Sequence, residues 1–271
     1  MKIAICNELY HDRDPRAAMQ HARSLGYQGW EIAPFTLADS VEEFSLPQRK
    51  QYAQMASDEG LEIIGLHWLL AKTTGFHLTH NDRAVRASTA NYLGQLTSLC
   101  DDLGGKVMVF GSPQQRNLPE GVSLEEGLDR AAAVLRAVAD QLADRDITIA
   151  IEPLGLEETN FLCTAAQGKA LIDAVGSPKV KLLLDVKAMS TESIPIPELI
   201  STHIGDLIHF HANDPNRLGP GMGEVDFRPI IKTLENESYG GWISVEVFDY
   251  SPGIEKLASS SIKYLSSLLH H

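Results

Sequence analysis

The segment LIHFHANDPNRLGPGMGEVDF, residues 207–227, contains one complete strand–loop–helix unit of the chain. It begins with an apolar run, which predicts a buried strand, and His211 follows that run directly. A polar loop with Asp214 and Arg217 comes next, and a helix is predicted to start near Asp226. A buried strand does not need a histidine at its exit, and a connecting loop does not need Asp and Arg beside it. The segment therefore indicates a metal ligand next to a clamp for an anion or a hydroxyl group.

The same kind of unit recurs along the whole chain. Eight short apolar runs alternate with longer helical patterns, which favours a single (β/α)8 barrel, an α/β TIM-barrel domain over residues 1–271. A doubly wound open sheet would need a glycine-rich phosphate turn after the first strand, and residues 6–10 (CNELY) are not one. The predicted strands are Ile3–Cys6, Gly29–Ala33, Leu61–Leu66, Lys106–Phe110, Ile147–Ile151, Val180–Leu184, Leu207–Phe210 and Trp242–Val245, and one long helix is predicted over Leu124–Ala143.

Composition narrows the class of protein. Hydrophobic residues make up 44% of the chain, which is enough for a large core, and no apolar run is long enough to span a bilayer. The net charge of −13 argues against a nucleic-acid partner, because backbone binders need clustered Lys and Arg. Three widely separated cysteines fit reduced thiols, and the N-terminus does not resemble a basic leader. We predict a cytoplasmic protein that acts on small molecules and has no membrane or nucleic-acid partner.

One metal-type side chain follows each of the last four predicted strands. In a TIM barrel, chemistry takes place at the carboxyl ends of the strands, where these side chains would meet. A single strand-end carboxylate commonly caps the next helix or pairs with an arginine. Here four such residues each stand directly after a strand, spaced by about one strand–helix unit. This repetition instead predicts a shared metal site. The four residues are Glu152, Asp185, His211 and Glu246.

Three carboxylates and one imidazole form a hard, anionic ligand set. It predicts a divalent metal ion, with Mn²⁺ as first choice and Mg²⁺, Co²⁺, Fe²⁺ or Zn²⁺ as alternatives. Against a dication, the three carboxylates leave one negative charge, so one of them can also accept a proton. A bound hydroxy-ketone would then lose its α proton and form an ene-diolate whose oxyanion sits on the metal.

Further polar residues lie at the ends of the earlier strands. His67 and Trp68 follow the third strand, where they would enclose a polyol with a hydrogen-bond donor and an aromatic wall. The alternative is that His67 makes its hydrogen bonds within the barrel mouth and does not contact the substrate. Glu31, at the end of the second strand, would contact a substrate hydroxyl or form a salt bridge on the outer rim. His209 points the same way as His211 but one layer deeper, so we expect it behind the ligands.

Four motifs in the second half of the chain carry a family resemblance. The chain resembles the sugar-phosphate isomerase/epimerase superfamily, whose xylose isomerase-like TIM barrels include ketose 3-epimerases, hydroxypyruvate isomerase, inosose-processing enzymes and endonuclease IV. Its motifs are most similar to those of the ketose 3-epimerases of the D-tagatose 3-epimerase type. The motifs are IEPLGLEETNF (151–161), LLLDVKAM (182–189), HFHANDPNRLGPGMGEVDF (209–227) and WISVEVF (242–248).

The resemblance implies roles for individual residues. The four strand-end residues match the metal ligands of the ketose 3-epimerases, and Glu152 and Glu246 would lie on opposite faces of the substrate. One would remove the C3 proton and the other would return a proton. Glu158 and Arg217 match positions that contact substrate hydroxyls or the reacting carbonyl region. Homodimers and homotetramers are common among such relatives, so the resemblance makes these two the candidate assemblies and the sequence leaves the oligomeric state open.

Two departures from the family pattern concern the substrate. Relatives carry a histidine three residues after the strand-six aspartate, where this chain has Ala188, and an Asn-Arg pair where it has Gly155-Leu156. Lys187 is a candidate to supply the missing contacts. Endonuclease IV has an Asp-x-His in the strand-seven loop, whereas residues 226–228 here read DFR, which argues against a nuclease.

These observations predict a metal-dependent sugar or polyol isomerase or epimerase. Arg116, Lys187 and Arg217 are the cations expected near the rim, which favours a neutral sugar over a phosphorylated one. One alternative is a dehydratase of a keto-polyol, similar to the inosose dehydratases, which would expel a β-hydroxyl. The other is a barrel that binds metal or sugar without catalysis, for which Ala188 is the motivating residue.

Overall fold

The computed structural model describes residues 1–269 and contains the predicted barrel. Eight parallel strands pair in chain order, and the last strand pairs with the first, which closes the sheet. The (β/α)8 prediction is therefore confirmed. The strands are β1 (Lys2–Cys6), β2 (Gly29–Ile32), β3 (Glu62–Leu66), β4 (Val107–Phe110), β5 (Thr148–Ile151), β6 (Val180–Asp185), β7 (Leu207–Ala212) and β8 (Trp242–Val245).

Helices surround the barrel and connect its strands. Side-chain caps begin several of them, and two helices end at Gly26 and Gly104, which adopt left-handed backbone conformations that glycine tolerates best. Within residues 1–269, no helix is both long and apolar enough to cross a bilayer. The helices are α1 (Pro15–Leu25), α2 (Leu46–Asp58), α3 (Arg83–Leu103), α4 (Leu124–Arg136), α5 (Ala139–Asp144), α6 (Ala165–Val175), α7 (Val186–Met189), α8 (Ile196–His203), α9 (Phe227–Asn236) and α10 (Ile254–Leu269).

The long helix predicted over Leu124–Ala143 is wrong in one respect. The chain leaves regular helix after Arg136 and re-enters it at Ala139. At the break, the amide of Val138 donates to the carbonyl of Leu135, three residues back, which tightens the turn. The sequence signal was weak because neither glycine nor proline marks this position. Two of the predicted strands were also too short at their carboxyl ends, since β6 extends through Asp185 and β7 through Ala212.

The alternation of side chains along each strand determines which residues face the barrel interior. Val109, Ala150 and Leu183 pack together inside the barrel, apart from the large core between the strands and the helices. Side chains two residues further along a strand point to the same side. Counting forward two positions from Ala150 and Leu183 gives Glu152 and Asp185. The strand period therefore directs both carboxylates inward at the carboxyl end of the barrel.

Glycine at position 65 of β3 is required by close packing against β4. A β-carbon added there would lie 1.9 Å from the carbonyl oxygen of Val107, which is backbone and cannot rotate away. We expect Gly65→Ala to lower the free energy of unfolding by about 1–3 kcal/mol, the usual range for overpacking, measured by urea denaturation. Gly205→Ala is the matched control, because no atom lies within 4 Å of its added β-carbon. Equal midpoints for the two variants would contradict this account.

Candidate metal centre

The four predicted ligands meet at the carboxyl end of the barrel. Each offers one donor atom, and these atoms all lie within 4.8 Å of one another. All four side chains are buried, although three of them are carboxylates. Buried carboxylates that face each other are costly unless a cation or protons neutralise them. The convergence agrees with the ligand set predicted from the strand ends: Glu152, Asp185, His211 and Glu246.

The two ring nitrogens of His211 have different surroundings. Nε2 lies 3.2 Å from Oε1 of Glu31, and an ionised carboxylate can only accept a hydrogen bond, so Nε2 carries the proton. Nδ1 lies 3.0 Å from Oε2 of Glu246 and 3.5 Å from Oε1 of Glu152. Among residues 1–269, neither Nδ1 nor this Glu246 oxygen makes a hydrogen bond. A buried ring nitrogen that faces two carboxylate oxygens suits a shared cation, and the donor set fits one.

Glu31 does not form the salt bridge on the outer rim that was one of its two predicted roles. Its side chain is buried behind the ligands, and its second oxygen lies 2.9 Å from Nε2 of His209. Both oxygens therefore face imidazoles inside the barrel, and contact of Glu31 with a substrate hydroxyl stays a prediction. Burial raises the pKa of Glu31, but the two histidines outweigh this effect and hold the pKa well below its usual range. Glu31 orients His211, and His209 lies behind the ligands as expected.

Asp185 is held by two groups from its surroundings. Its Oδ1 accepts the amide of Ala188 at 2.8 Å, which caps the short helix α7, and its Oδ2 accepts the side-chain amide of Asn213. Burial, followed by the charge of Glu152, raises the pKa of Asp185 to about 7. Asn213 was not singled out in the sequence. The available signal was its position two residues after His211, which places both side chains on the same side of the chain.

Glu152 depends on two residues that no motif indicated. A β-carbon on Gly111 would lie 1.6 Å from Oε2 of Glu152, so only glycine leaves room for this carboxylate. Arg116 donates from Nη1 to the carbonyl oxygen of Glu152 at 2.7 Å. Arg116 is fully buried and is therefore not the rim cation that the sequence suggested; burial lowers its pKa to about 10. Burial also raises the pKa of Glu152, whose charge is further opposed by Glu246.

His67 and Trp68 contact acidic side chains within the barrel mouth. His67 is buried, and its Nε2 lies 2.7 Å from Oε2 of Glu8, which forms a pair that the sequence did not predict. Burial lowers the pKa of His67, but the charge of Glu8 outweighs this and raises it. Trp68 is partly exposed and donates from Nε1 to Oε1 of Glu246 at 2.7 Å. Trp68 also stacks on Phe248, with ring centroids 6.2 Å apart. We call this pair the aromatic wall, and its contact with a substrate stays a prediction.

The predicted substrate contacts Glu158, Lys187 and Arg217 lie at the rim. Nζ of Lys187 is 2.5 Å from Oε2 of Glu158 and 4.9 Å from the centre of the Phe248 ring. The two charged groups therefore neutralise each other beside the aromatic wall. Arg217 is exposed, has a positive φ of 71°, and its carbonyl oxygen accepts the amides of Phe248 and Asp249. Its backbone thus joins the loops that follow β7 and β8.

Comparisons with known proteins agree with this architecture. A family model described as the xylose isomerase-like TIM barrel matches residues 19–268. A probable ketose 3-epimerase from Synechocystis sp. is 26% identical over 91% of this chain and 88% of its own length. A D-psicose 3-epimerase from Agrobacterium fabrum is 28% identical over 85% of this chain and 78% of its own length. A crystal structure of a D-psicose 3-epimerase in the presence of D-fructose superposes with a TM-score of 0.88 at 23% identity, and each chain is covered completely.

Proposed function

Because the chain belongs to the xylose isomerase-like TIM barrel family, we propose that it is a divalent-metal-dependent sugar epimerase or isomerase. The proposal rests on one observation above all, the convergence of three buried carboxylates and one imidazole on a common point. The named relatives support a ketose as the substrate, with C3 as the reacting carbon. We favour Mn²⁺ as the metal because the donors are mainly carboxylate oxygens.

The proposed metal ligands are Glu152, Asp185, His211 and Glu246. A divalent cation held by them would supply Lewis-acid chemistry, which acidifies the proton next to a substrate carbonyl. Glu31 and Asn213 would keep His211 and Asp185 in orientation for the ion. These supporting contacts are already formed in the structure, at 3.2 Å for the Glu31–His211 pair.

Glu152 and Glu246 are proposed to carry the proton. One carboxylate would remove it from C3 on one face of the sugar, and the other would return a proton to the opposite face of the ene-diolate. Their surroundings differ in a way that suits unequal roles. Burial raises the pKa of Glu152, whereas His211 and the Trp68 indole outweigh burial at Glu246 and lower its pKa. A carboxyl that gains a proton easily and one that holds its charge form an acid–base pair.

The substrate contacts are proposed to come from the rim. Arg217 is an exposed guanidinium in the loop after β7, and Glu158 is an exposed carboxylate paired with Lys187. Where relatives carry a histidine, Ala188 leaves no polar side chain. We propose that Lys187, the neighbouring residue, contacts substrate hydroxyls in its place, by exchanging its bond to Glu158 for one to the sugar.

The test is solvent exchange in D₂O. Metal-stripped protein is incubated with D-fructose or L-ribulose, with and without Mn²⁺, and the sugars are followed by NMR. We expect Mn²⁺-dependent formation of the C3 epimer with deuterium from the solvent at C3. Loss of water from the sugar would instead support the dehydratase alternative. Intact metal binding without deuterium entry into any ketose tested would overturn the proposed activity and leave a binding protein.

A further inference from the structure

We propose that Trp68 is a positioning residue for Glu246, which it fixes so that one carboxylate oxygen remains available to a metal ion and to the substrate. This inference rests on the proposed function, since it assigns a role to a neighbour of a proposed ligand. The aromatic wall alone does not account for Trp68, because its indole N–H is directed at a carboxylate and not at solvent.

The two oxygens of Glu246 have separate surroundings. Oε1 accepts the indole N–H of Trp68 at 2.7 Å, and Oε2 faces Nδ1 of His211 at 3.0 Å. The carboxylate is buried, so the indole contact is strengthened by its low-dielectric environment. With Oε1 occupied by a neutral donor, the carboxylate cannot rotate without breaking that bond. The arrangement keeps Oε2 directed at the other ligands.

The backbone at Trp68 is strained, which indicates that its position is enforced. Its φ of 51° lies in the left-handed region, which a bulky residue rarely adopts. Such strain persists only where the surroundings compensate for it. Here the carbonyl oxygen of Trp68 accepts the amide of Ala71 at 3.0 Å, and the ring lies near Phe35 and Phe248. Strained residues of this kind concentrate at functional sites.

The support for the Trp68 ring is itself anchored. Phe248 stacks on the indole with an angle of 27° between the ring planes, and its amide donates to the carbonyl oxygen of Arg217 at 3.0 Å. Arg217 is a second residue with positive φ at the rim. The loops after β3, β7 and β8 are thus connected through Trp68, Phe248 and Arg217. The indole N–H is held in place from several sides.

Trp68→Phe separates the N–H from the packing of the ring. Phenylalanine keeps an aromatic ring against Phe248 but has no donor for Glu246. If Trp68 only fills space, Mn²⁺ affinity in the variant should equal that of the wild type. If it positions Glu246, we expect the dissociation constant for Mn²⁺ to rise about 10-fold, as for other groups that orient metal ligands. We also expect kcat to fall about 10-fold, with a smaller change in KM because the aromatic wall remains.

Isothermal titration of metal-stripped protein with MnCl₂ measures the affinity without any substrate. Trp242→Phe is the matched control: Trp242 begins β8, at the opposite end of the strand from Glu246, and packs against Lys2. That variant should bind Mn²⁺ as the wild type does. Indole emission gives a second signature, because a paramagnetic ion beside Glu246 should quench Trp68. This quenching should persist in Trp242→Phe and disappear in Trp68→Phe.

The outcomes separate this inference from the proposed function. If wild-type protein binds no Mn²⁺, the proposed metal dependence fails, and the role of Trp68 fails with it. If the wild type and Trp68→Phe bind Mn²⁺ with equal affinity and turn over a ketose with equal kcat, only the role of Trp68 is overturned. A weaker site and a lower kcat in a variant that remains folded, as shown by an unchanged circular dichroism spectrum, support the positioning role.

Discussion

Glu152→Gln and Glu246→Gln are each expected to lower kcat for ketose epimerisation by about 10³-fold, because each removes a group proposed to transfer a proton. Each substitution also replaces an anionic metal ligand with a neutral amide, so Mn²⁺ affinity should fall as well. Kinetics at saturating Mn²⁺ separates the two effects. The volume of the side chain is almost unchanged, and the barrel should remain intact.

Solvent exchange distinguishes the two carboxylates. If they act on opposite faces, each variant retains the base that serves one epimer. Each should then exchange the C3 proton of that epimer with D₂O while net epimerisation is lost. Glu157→Gln is the matched control, since Glu157 is an exposed carboxylate on the loop after β5 that makes no contact with the ligands. Retention of full epimerisation in either ligand variant would refute the two-base mechanism.

The architecture and the four proposed ligands could be predicted from the sequence for the same physical reason. Parallel strands are buried on both faces, so they appear as apolar runs, and a polar residue directly after such a run stands out. Glu152 and Glu246 follow their strands immediately. The regular spacing of strand–helix units then brings such residues to one end of the barrel. This inference needs only the positions of strands, and errors of one or two residues at their ends did not disturb it.

The residues that support the ligands were harder to predict from the sequence. Glu31 and Asn213 act through partners on other strands, and their roles depend on lateral distances that periodicity does not give. Glu31 in particular could not be distinguished from a substrate contact, because both would occupy a strand end. Arg116 was the least predictable. A guanidinium is expected at the surface, whereas here it is buried and bonded to the carbonyl oxygen of Glu152.

The break in regular helix at Val138 shows a related limit of prediction from sequence. The apolar pattern continues from α4 into α5, and Val138 and Leu142 are both buried. Hydrophobic periodicity reports which side chains are buried but not whether the backbone between them remains regular. A tightened turn without glycine or proline therefore cannot be detected from hydrophobic periodicity.

The second large effect concerns stability in the absence of metal. We expect metal-free protein to lose stability as the pH rises from about 5.5 to 8. Burial and the charge of Glu152 raise the pKa of Asp185 to about 7. Burial lowers the pKa of His211, but Glu246 and Glu31 outweigh it and raise the pKa well above its ordinary value. Up to about pH 7, Asp185 therefore holds a proton in the folded state that the unfolded chain has already released, and above about pH 6.5 His211 does the same.

The direction of the change in stability with pH follows from this difference in bound protons. When the folded state binds more protons than the unfolded state, the free energy of unfolding falls as the pH increases. For Asp185 alone, the loss between pH 5.5 and pH 8 is about 2 kcal/mol, equivalent to a Tm lower by about 4–8 °C. The lowered pKa values of Glu31 and Glu246 change the free energy of unfolding only below pH 5.5, because those groups titrate there in the unfolded chain.

Mn²⁺ should reverse this loss, because a bound cation replaces the protons on Asp185 and His211. At 100 times its dissociation constant, the ion should stabilise the fold by about 2.7 kcal/mol. The increase in Tm on adding a fixed concentration of Mn²⁺ should therefore be larger at pH 8 than at pH 5.5, as measured by calorimetry with EDTA-treated protein as reference. In Asp185→Asn, both the pH dependence of the metal-free protein and the increase with Mn²⁺ should shrink. An increase in Tm that is the same at both pH values would mean that the ion does not compete with protons at these four residues, and that the buried carboxylates are neutralised by the protein itself.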